Sequence, residues 1–219
     1  MITGKKILLT VGPTREYLDP VRFITNESSG KMGFAIAEEL LKENAELIII
    51  SGPVSIETKV PKKHIKNVTT ALEMYDECQK YFNDIDIAIF TAAVADYRPK
   101  HQATSKIKKE GDVTVVEFIK NPDIAAEFGK IKHPYQLSVG FALETDNVIE
   151  NAQEKLTKKG FDMIVINSPK IGEGFCYDTN KVSILTRSQG IQDYPIKSKI
   201  EVAKDIIEKI KHLIANPQS

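Results

Sequence analysis

A chain of 219 residues, 42% apolar and 27% charged, has the proportions of a folded globular protein and the length for one well-cored domain. Thirty basic residues balance thirty acidic ones. Zero net charge argues against wrapping nucleic acid or coating an anionic membrane, so anion binding must come from local clusters.

The first element is a buried strand over Lys6–Val11, stopped by Gly12-Pro13. Lys5-Lys6 runs straight into it, without a signal-peptide core, and no later run is apolar for long enough to span a bilayer. A cytoplasmic chain is expected. Residues 32–43 have helical periodicity, with Phe34, Ile36, Ala37, Leu40 and Leu41 on one face and Glu38, Glu39 and Lys42 on the other. A strand over 47–50 ends at Ser51-Gly52-Pro53, a short strand follows near 67–69, and a helix covers 71–81. Residues 85–91 form another largely apolar run. Continuous rather than alternating apolar strands mean burial on both faces, as in a parallel sheet covered by helices.

The second half repeats the pattern more loosely. Residues 113–119 alternate as an edge or hairpin strand would. Pro122 opens a short helix at its favoured first position, with Asn121 as N-cap. A strand over 137–141, a helix over 148–159 closed by Gly160, and a strand over 163–166 follow. Residues 182–185 and 189–194 read as strand and turn, and 199–214 as an amphipathic final helix that Pro217 cannot continue. Cys78 falls in the 71–81 helix and Cys176 in a glycine-rich loop. With no C-x-x-C, both read as unpaired reduced thiols. The fold class is α/β: a single three-layer α/β/α domain over 1–219, its sheet mainly parallel and Rossmann-like. Ligands in such folds bind at the carboxyl ends of the strands.

The loop after the first strand is too polar for a mere connector. It lacks the G-x-G-x-x-G dinucleotide fingerprint. Gly30-Lys31 fails as a phosphate loop because Thr25 replaces the earlier glycine and Met32 the Ser/Thr. Ser28 or Ser29 can cap the helix. Gly30 and Gly33 allow close approach to its free N–H groups, and Lys31 adds charge. A plain capped helix is the simpler reading, but Arg15, Arg22, Asn26 and Lys31 crowd the loop and favour an anionic substrate.

Thr91-Ala92-Ala93-Val94-Ala95-Asp96-Tyr97 ends a strand with small residues that admit a ligand. Asp96 can bind a ribose hydroxyl, a base edge or a metal-bound water, or equally cap a helix. Lys106 and Lys108 share one face if their segment is extended. A basic flap over a polyphosphate is the sharper reading, and on charge alone a solvated edge is the simpler one. Lys155 and Lys159, four apart on one helix face, can reach phosphates or solvent. The four histidines have no metal-ligand spacing, and no Ser/His/Asp arrangement is apparent.

Taken in order, six stretches carry a resemblance. They are Thr14-Arg15-Glu16-x-Leu18-Asp19-Pro20-Val21-Arg22, Asn26-x-Ser28-Ser29-Gly30-Lys31-Met32-Gly33, Ala92-Ala93-Val94-Ala95-Asp96-Tyr97-Arg98, Lys106-Ile107-Lys108-Lys109, Lys120-Asn121-Pro122-Asp123-Ile124 and Gly140-Phe141-Ala142-x-Glu144-Thr145. Each is weak alone, but the ordered set resembles the phosphopantothenate–cysteine ligase (phosphopantothenoylcysteine synthetase) family, the C-terminal domain of the DNA/pantothenate metabolism flavoproteins. The resemblance implies an enzyme that joins 4'-phosphopantothenate to L-cysteine in coenzyme A biosynthesis. CTP with Mg2+ drives the reaction through an acyl-cytidylate, releasing pyrophosphate and CMP. It places Asp96, Lys106, Pro122, Asp123, Ile124, Ala125, Phe141, Lys155 and Lys159 around CTP, with Lys106 acting from a flap. It places Asn26 at the acyl intermediate, where a side-chain amide can hydrogen-bond the polarised carbonyl. Helix-terminus physics adds Ser28, Ser29, Gly30 and Lys31 as the holder of an anionic part of the substrate. No residue is singled out for the metal.

The family further implies a homodimer, with 113–119 and 182–185 as candidate interface strands. It also implies a free-standing form whose decarboxylase is a separate chain. Two alternatives compete. A short-chain NAD(P)-dependent oxidoreductase would need the missing fingerprint and a helical Tyr-x-x-x-Lys, whereas Tyr177–Lys181 is interrupted by turn residues. A non-catalytic nucleotide-binding subunit sits poorly with Asn26 and Lys106 together.

Overall fold

The structure, a computed structural model, describes residues 1–109, 111–143, 147–167 and 178–216. Its elements begin with β1 (Lys6–Val11), β2 (Arg15–Tyr17), β3 (Phe23–Thr25), α1 (Lys31–Lys42), β4 (Glu46–Ser51), β5 (Ile65–Asn67) and α2 (Ala71–Gln79). Next come β6 (Ile87–Phe90), β7 (Tyr97–Pro99), β8 (Phe118–Lys120), α3 (Ile124–Ile131), β9 (Leu137–Leu143) and α4 (Val148–Lys158). Last are β10 (Met163–Asn167), β11 (Thr179–Asn180), β12 (Val182–Thr186), β13 (Gly190–Asp193), β14 (Lys197–Ser198) and α5 (Lys199–Ala215).

An eight-stranded sheet has the order β13-β12-β10-β9-β6-β1-β4-β5. The six strands from β10 to β5 are parallel, and β12 and β13 extend the sheet antiparallel. Alternation along each buried strand feeds two cores. Ile7, Leu9 and Val11 of β1 join α1 and α5 on one face, while Leu8 joins α2, α3 and α4 on the other. This is the expected three-layer α/β/α, Rossmann-like architecture. Phe128 anchors α3: its ring lies 4.5 Å from Phe82 and 5.4 Å from Tyr75 and is almost fully buried. Burying such a side chain contributes roughly 1.5–3 kcal/mol. Capping boxes at Thr70/Glu73 and Ser198/Glu201 fix where α2 and α5 begin.

Several expectations need correcting. Asn121 does not cap the third helix. Asp123 does, its side chain accepting from Ala126 N, because the Asn121 amide is drawn to Ala95 O at 2.8 Å. Neither Ser28 nor Ser29 is the N-cap of α1. That position is Gly30, held left-handed at φ 75°, and Ser29 Oγ only reaches Lys31 N at 3.4 Å. Glu39, expected on the outer face, is buried and holds Lys42. The loop after β1 folds back as the β2–β3 hairpin. The expected strand over 113–119 is confined to Phe118–Lys120, paired with β7. The strand expected near 67–69 lies at Ile65–Asn67, and the helix expected to reach 81 stops at Gln79. β12 is hydrogen-bonded on both sides, with Val182, Ile184 and Leu185 buried, so 182–185 is not an interface strand. Cys78 is buried and unpaired in α2, and burial pushes its thiol pKa up. Cys176, Glu144, Thr145 and Tyr177 lie outside the described residues.

Candidate active site

From β1 the chain adds β4 and β5 on one side, then β6, β9 and β10 on the other. Strand order therefore reverses between β1 and β6, the place where such sheets bind ligands. The loops leaving these two strands stay bonded to each other. Ala93 N donates to Gly12 O at 2.9 Å, Thr14 N to Ala93 O at 3.3 Å, and Ala95 N to Thr14 Oγ1 at 3.0 Å. Asn26 closes this seam, donating from Nδ2 to Ala93 O and Val94 O, both at 3.1 Å. Two carbonyl partners fix the orientation of the amide and use both its protons.

Two cavities meet at the seam and share Ala92 and Phe141. The smaller, about 180 Å³, lies over the α1/α5 layer, and Ser28, Ser29, Gly30 and Lys31 line it together. Gly33 admits the close packing beneath it, since a Cβ there would sit 2.6 Å from Thr91 Oγ1. The Lys31 ammonium is 2.7 Å from Asp178, whose carboxyl it holds below the usual range. Sequence reading missed two further lining residues, buried Asn180 and Lys199; Asn180 Oδ1 has no hydrogen-bond partner among the described residues. No local pattern distinguishes them, because β11 and the start of α5, remote in sequence, are brought to α1 only by the packing of α5 on the same face of the sheet.

The larger cavity, about 460 Å³, lies over the α3/α4 layer. Asp96, Pro122, Asp123, Ile124, Ala125, Phe141, Lys155 and Lys159 all line it, so residues from two loops, β9, α3 and the end of α4 are brought to one cavity. Asp123 Oδ2 pairs with Lys159 Nζ at 2.9 Å, tying the start of α3 to the end of α4. Arg98 and Asn121 brace the entrance: Arg98 Nη1 donates to Lys120 O and Asn121 Oδ1, and Asp96 O accepts from Asn121 N. Asp96 is exposed and caps no helix among the described residues. No cluster of three or more His, Cys, Asp or Glu forms a metal site among them either.

Lys106 lines neither cavity. Its segment forms no strand; Lys106, Lys108 and Lys109 are exposed, and Ile107 is half-buried. The segment is nonetheless fastened to the first loop. Ala103 N donates to Leu18 O at 2.9 Å, Ile107 N to Asp19 Oδ2 at 3.1 Å, and Arg22 Nη2 to Ile107 O at 3.1 Å. The Asp19–Arg22 pair was present in the sequence motif, but its reach across to residue 107 was not.

Comparison with known proteins gives the family and the fold. Residues 2–214 match the model of the DNA/pantothenate metabolism flavoprotein C-terminal domain. A prokaryotic relative of unknown organism, named cysteine/cysteine sulfinic acid decarboxylase, is 44% identical over 97% of this chain and 60% of its own length. The coenzyme A biosynthesis bifunctional protein CoaBC of Haemophilus influenzae is 43% identical over 95% of this chain and 52% of its own. The chain thus spans only about half to three fifths of these curated relatives. The crystal structure of a CoaBC C-terminal domain superposes with a TM-score of 0.83 at 38% identity, over 98% of both chains. On the family match and these relatives together, the chain belongs to the DNA/pantothenate metabolism flavoprotein C-terminal domain family.

Proposed function

We propose that the chain is a phosphopantothenate–cysteine ligase acting in coenzyme A biosynthesis. The carboxylate of 4'-phosphopantothenate attacks the α-phosphorus of CTP, displacing pyrophosphate and leaving an acyl-cytidylate. The cysteine amine then attacks the acyl carbon, loses a proton and displaces CMP. The carrying observation is the meeting of two unlike cavities at one seam, since the first step joins a pantothenate carboxylate oxygen to the α-phosphorus of a nucleotide. The larger cavity, with Lys155 and Lys159, suits the triphosphate; the helix start at Ser28–Lys31 suits an anionic part of the substrate. Lys106, which lines neither cavity, would supply further charge to the α-phosphate from its own segment.

Mg2+ would neutralise triphosphate charge. Asp96 and Asp123 are the exposed carboxylates at that cavity, Asp123 already paired with Lys159, so Asp96 is the candidate holder; a magnesium ion carried by phosphate oxygens needs only one or two carboxylates from the protein. Asn26 takes a revised role. With both Nδ2 protons committed, Oδ1 is the end left for a ligand, and an acceptor there suits the incoming cysteine amine better than an acyl carbonyl. The names of the two longer relatives are not carried over whole. CoaBC, however, names coenzyme A biosynthesis, which this reading shares, and nothing in the family match supports an oxidoreductase. We place the enzyme in the cytoplasm. A homodimer would use the exposed Val113 and Val115 region, and a decarboxylase would consume the product.

The test is incubation with CTP, Mg2+, 4'-phosphopantothenate and cysteine. Pyrophosphate release should require phosphopantothenate, and amide should form only with cysteine. NADPH binding without CTP turnover would sink the proposal. Asn26→Asp should still release pyrophosphate but accumulate the acyl-cytidylate; full turnover by that variant would remove Asn26 from the mechanism.

A further inference from the structure

Asp19 is fully buried, although its segment is a polar loop and its closest neighbour in charge, Arg22, is half exposed. A buried carboxylate is costly unless its oxygens are fully bonded. Asp19 Oδ1 accepts from Val21 N at 2.9 Å and Arg22 N at 2.8 Å. Oδ2 accepts from Arg22 Nε at 2.9 Å, Arg22 Nη2 at 2.6 Å and Ile107 N at 3.1 Å. The Arg22 guanidinium, with the backbone donors, holds the Asp19 carboxyl well below the usual range.

The two oxygens do different jobs. Turn formation over 19–22 uses Oδ1 alone, which an asparagine supplies equally well. Oδ2 bonds no backbone group of the turn; it takes the Arg22 guanidinium and the Ile107 backbone N–H. It faces the segment that carries Lys106, and Arg22 adds a donor to Ile107 O. Together with Ala103 N on Leu18 O, these bonds fix the backbone on both sides of Lys106. A loop with three exposed lysines would otherwise spread its ammonium groups over many positions, and ordering them on binding would cost rotamer and backbone entropy.

We infer that Asp19 is a positioning residue for Lys106: its second carboxylate oxygen latches the lysine segment to the substrate loop, so that nucleotide and pantothenate sides are held in register before either ligand arrives. The consequence for catalysis rests on the ligase reading of Lys106; the latch itself does not.

Asp19→Asn separates the two. The amide keeps one oxygen for the turn and turns an N–H donor toward Ile107 N–H and Arg22. Pyrophosphate release with CTP and phosphopantothenate should fall about tenfold when Lys106 is present, and less than about twofold in a Lys106→Ala background. Amide hydrogen exchange at Ile107 should quicken by about tenfold or more, with the Val21 and Arg22 amides unchanged. Equal losses in both backgrounds would show that Asp19 acts by another route and overturn its positioning role. Unchanged exchange at Ile107 would overturn the latch whatever the activity. If Lys106→Ala alone is fully active, the functional reading of Lys106 fails, and exchange at Ile107 then decides the latch alone. Should Asp19→Asn not fold, Arg22→Lys keeps the charge, loses the fork to Ile107 O, and is expected to show the same Lys106-dependent loss at smaller size.

Discussion

The two cavities that share Phe141 are supported in different ways. The larger one hangs on packed helices: Pro122 to Ala125 sit where they do because Phe128 buries α3 against the sheet, and Asp123 and Lys159 tie α3 to α4. The smaller one hangs on backbone. Its wall from Ser28 to Gly33 is one contiguous stretch, turned by a left-handed glycine and pressed against Val11 and Val54. The proposed nucleotide side thus depends on helix packing in the core, whereas the Ser28–Gly33 wall of the proposed substrate side depends on local conformation, with strand ends and the start of α5 completing that cavity.

The largest expected effect tests the first half of that contrast. Phe128→Ala should destabilise the protein by about 3–5 kcal/mol in chemical denaturation. In whatever stays folded it should weaken CTP before phosphopantothenate. Equal weakening of both would mean that the two sides are not separately supported. Gly30→Ala comes next. It places a Cβ at φ 75° and 2.8 Å from Val54 Cγ1, which should cost about 1–2 kcal/mol and raise the KM for phosphopantothenate while sparing that for CTP. A raised KM for CTP would break the comparison. The smallest effect is that of Lys31→Ala, where loss of one partly exposed cation should raise the phosphopantothenate KM by about threefold to tenfold. No change would remove Lys31 from the anion site.

The sheet was legible because its strands are buried on both faces: Leu8 and Leu9 enter opposite cores, so the run reads as continuously apolar. The β2–β3 hairpin was not. Phe23, Ile24 and Thr25 are exposed, and the pair is held by contacts that no periodicity signals, such as Arg15 over the Phe23 ring at 4.6 Å and Tyr17 edge-on to it. Helix starts failed where a side chain had a better offer. Asn121 has the right chemistry to cap, but Ala95 O and Arg98 claim its amide, and the start slips to Asp123. At α1 the glycine needed for the sharp turn displaces both serines. At the site, most of the residues named by resemblance line one of the two cavities, whereas Asn26 and Lys106 line neither. Asn180 and Lys199 carry no local signal, and only the packing of α5 beside α1 brings them to Lys31.

The seam between the first and sixth strands has a kinetic meaning. Thr91 Oγ1 reaches back to Thr10 O across 81 positions of chain, and Asn26 reaches Ala93 and Val94 across nearly as many. Closing so long a loop is slow relative to forming either flank, and its entropy must be offset before any contact inside it is gained. The β1–β4–β5 half can therefore assemble first without possessing a site. On the ligase reading, turnover is expected only once β6 docks, so recovery of activity on refolding should follow the last long-range step rather than collapse.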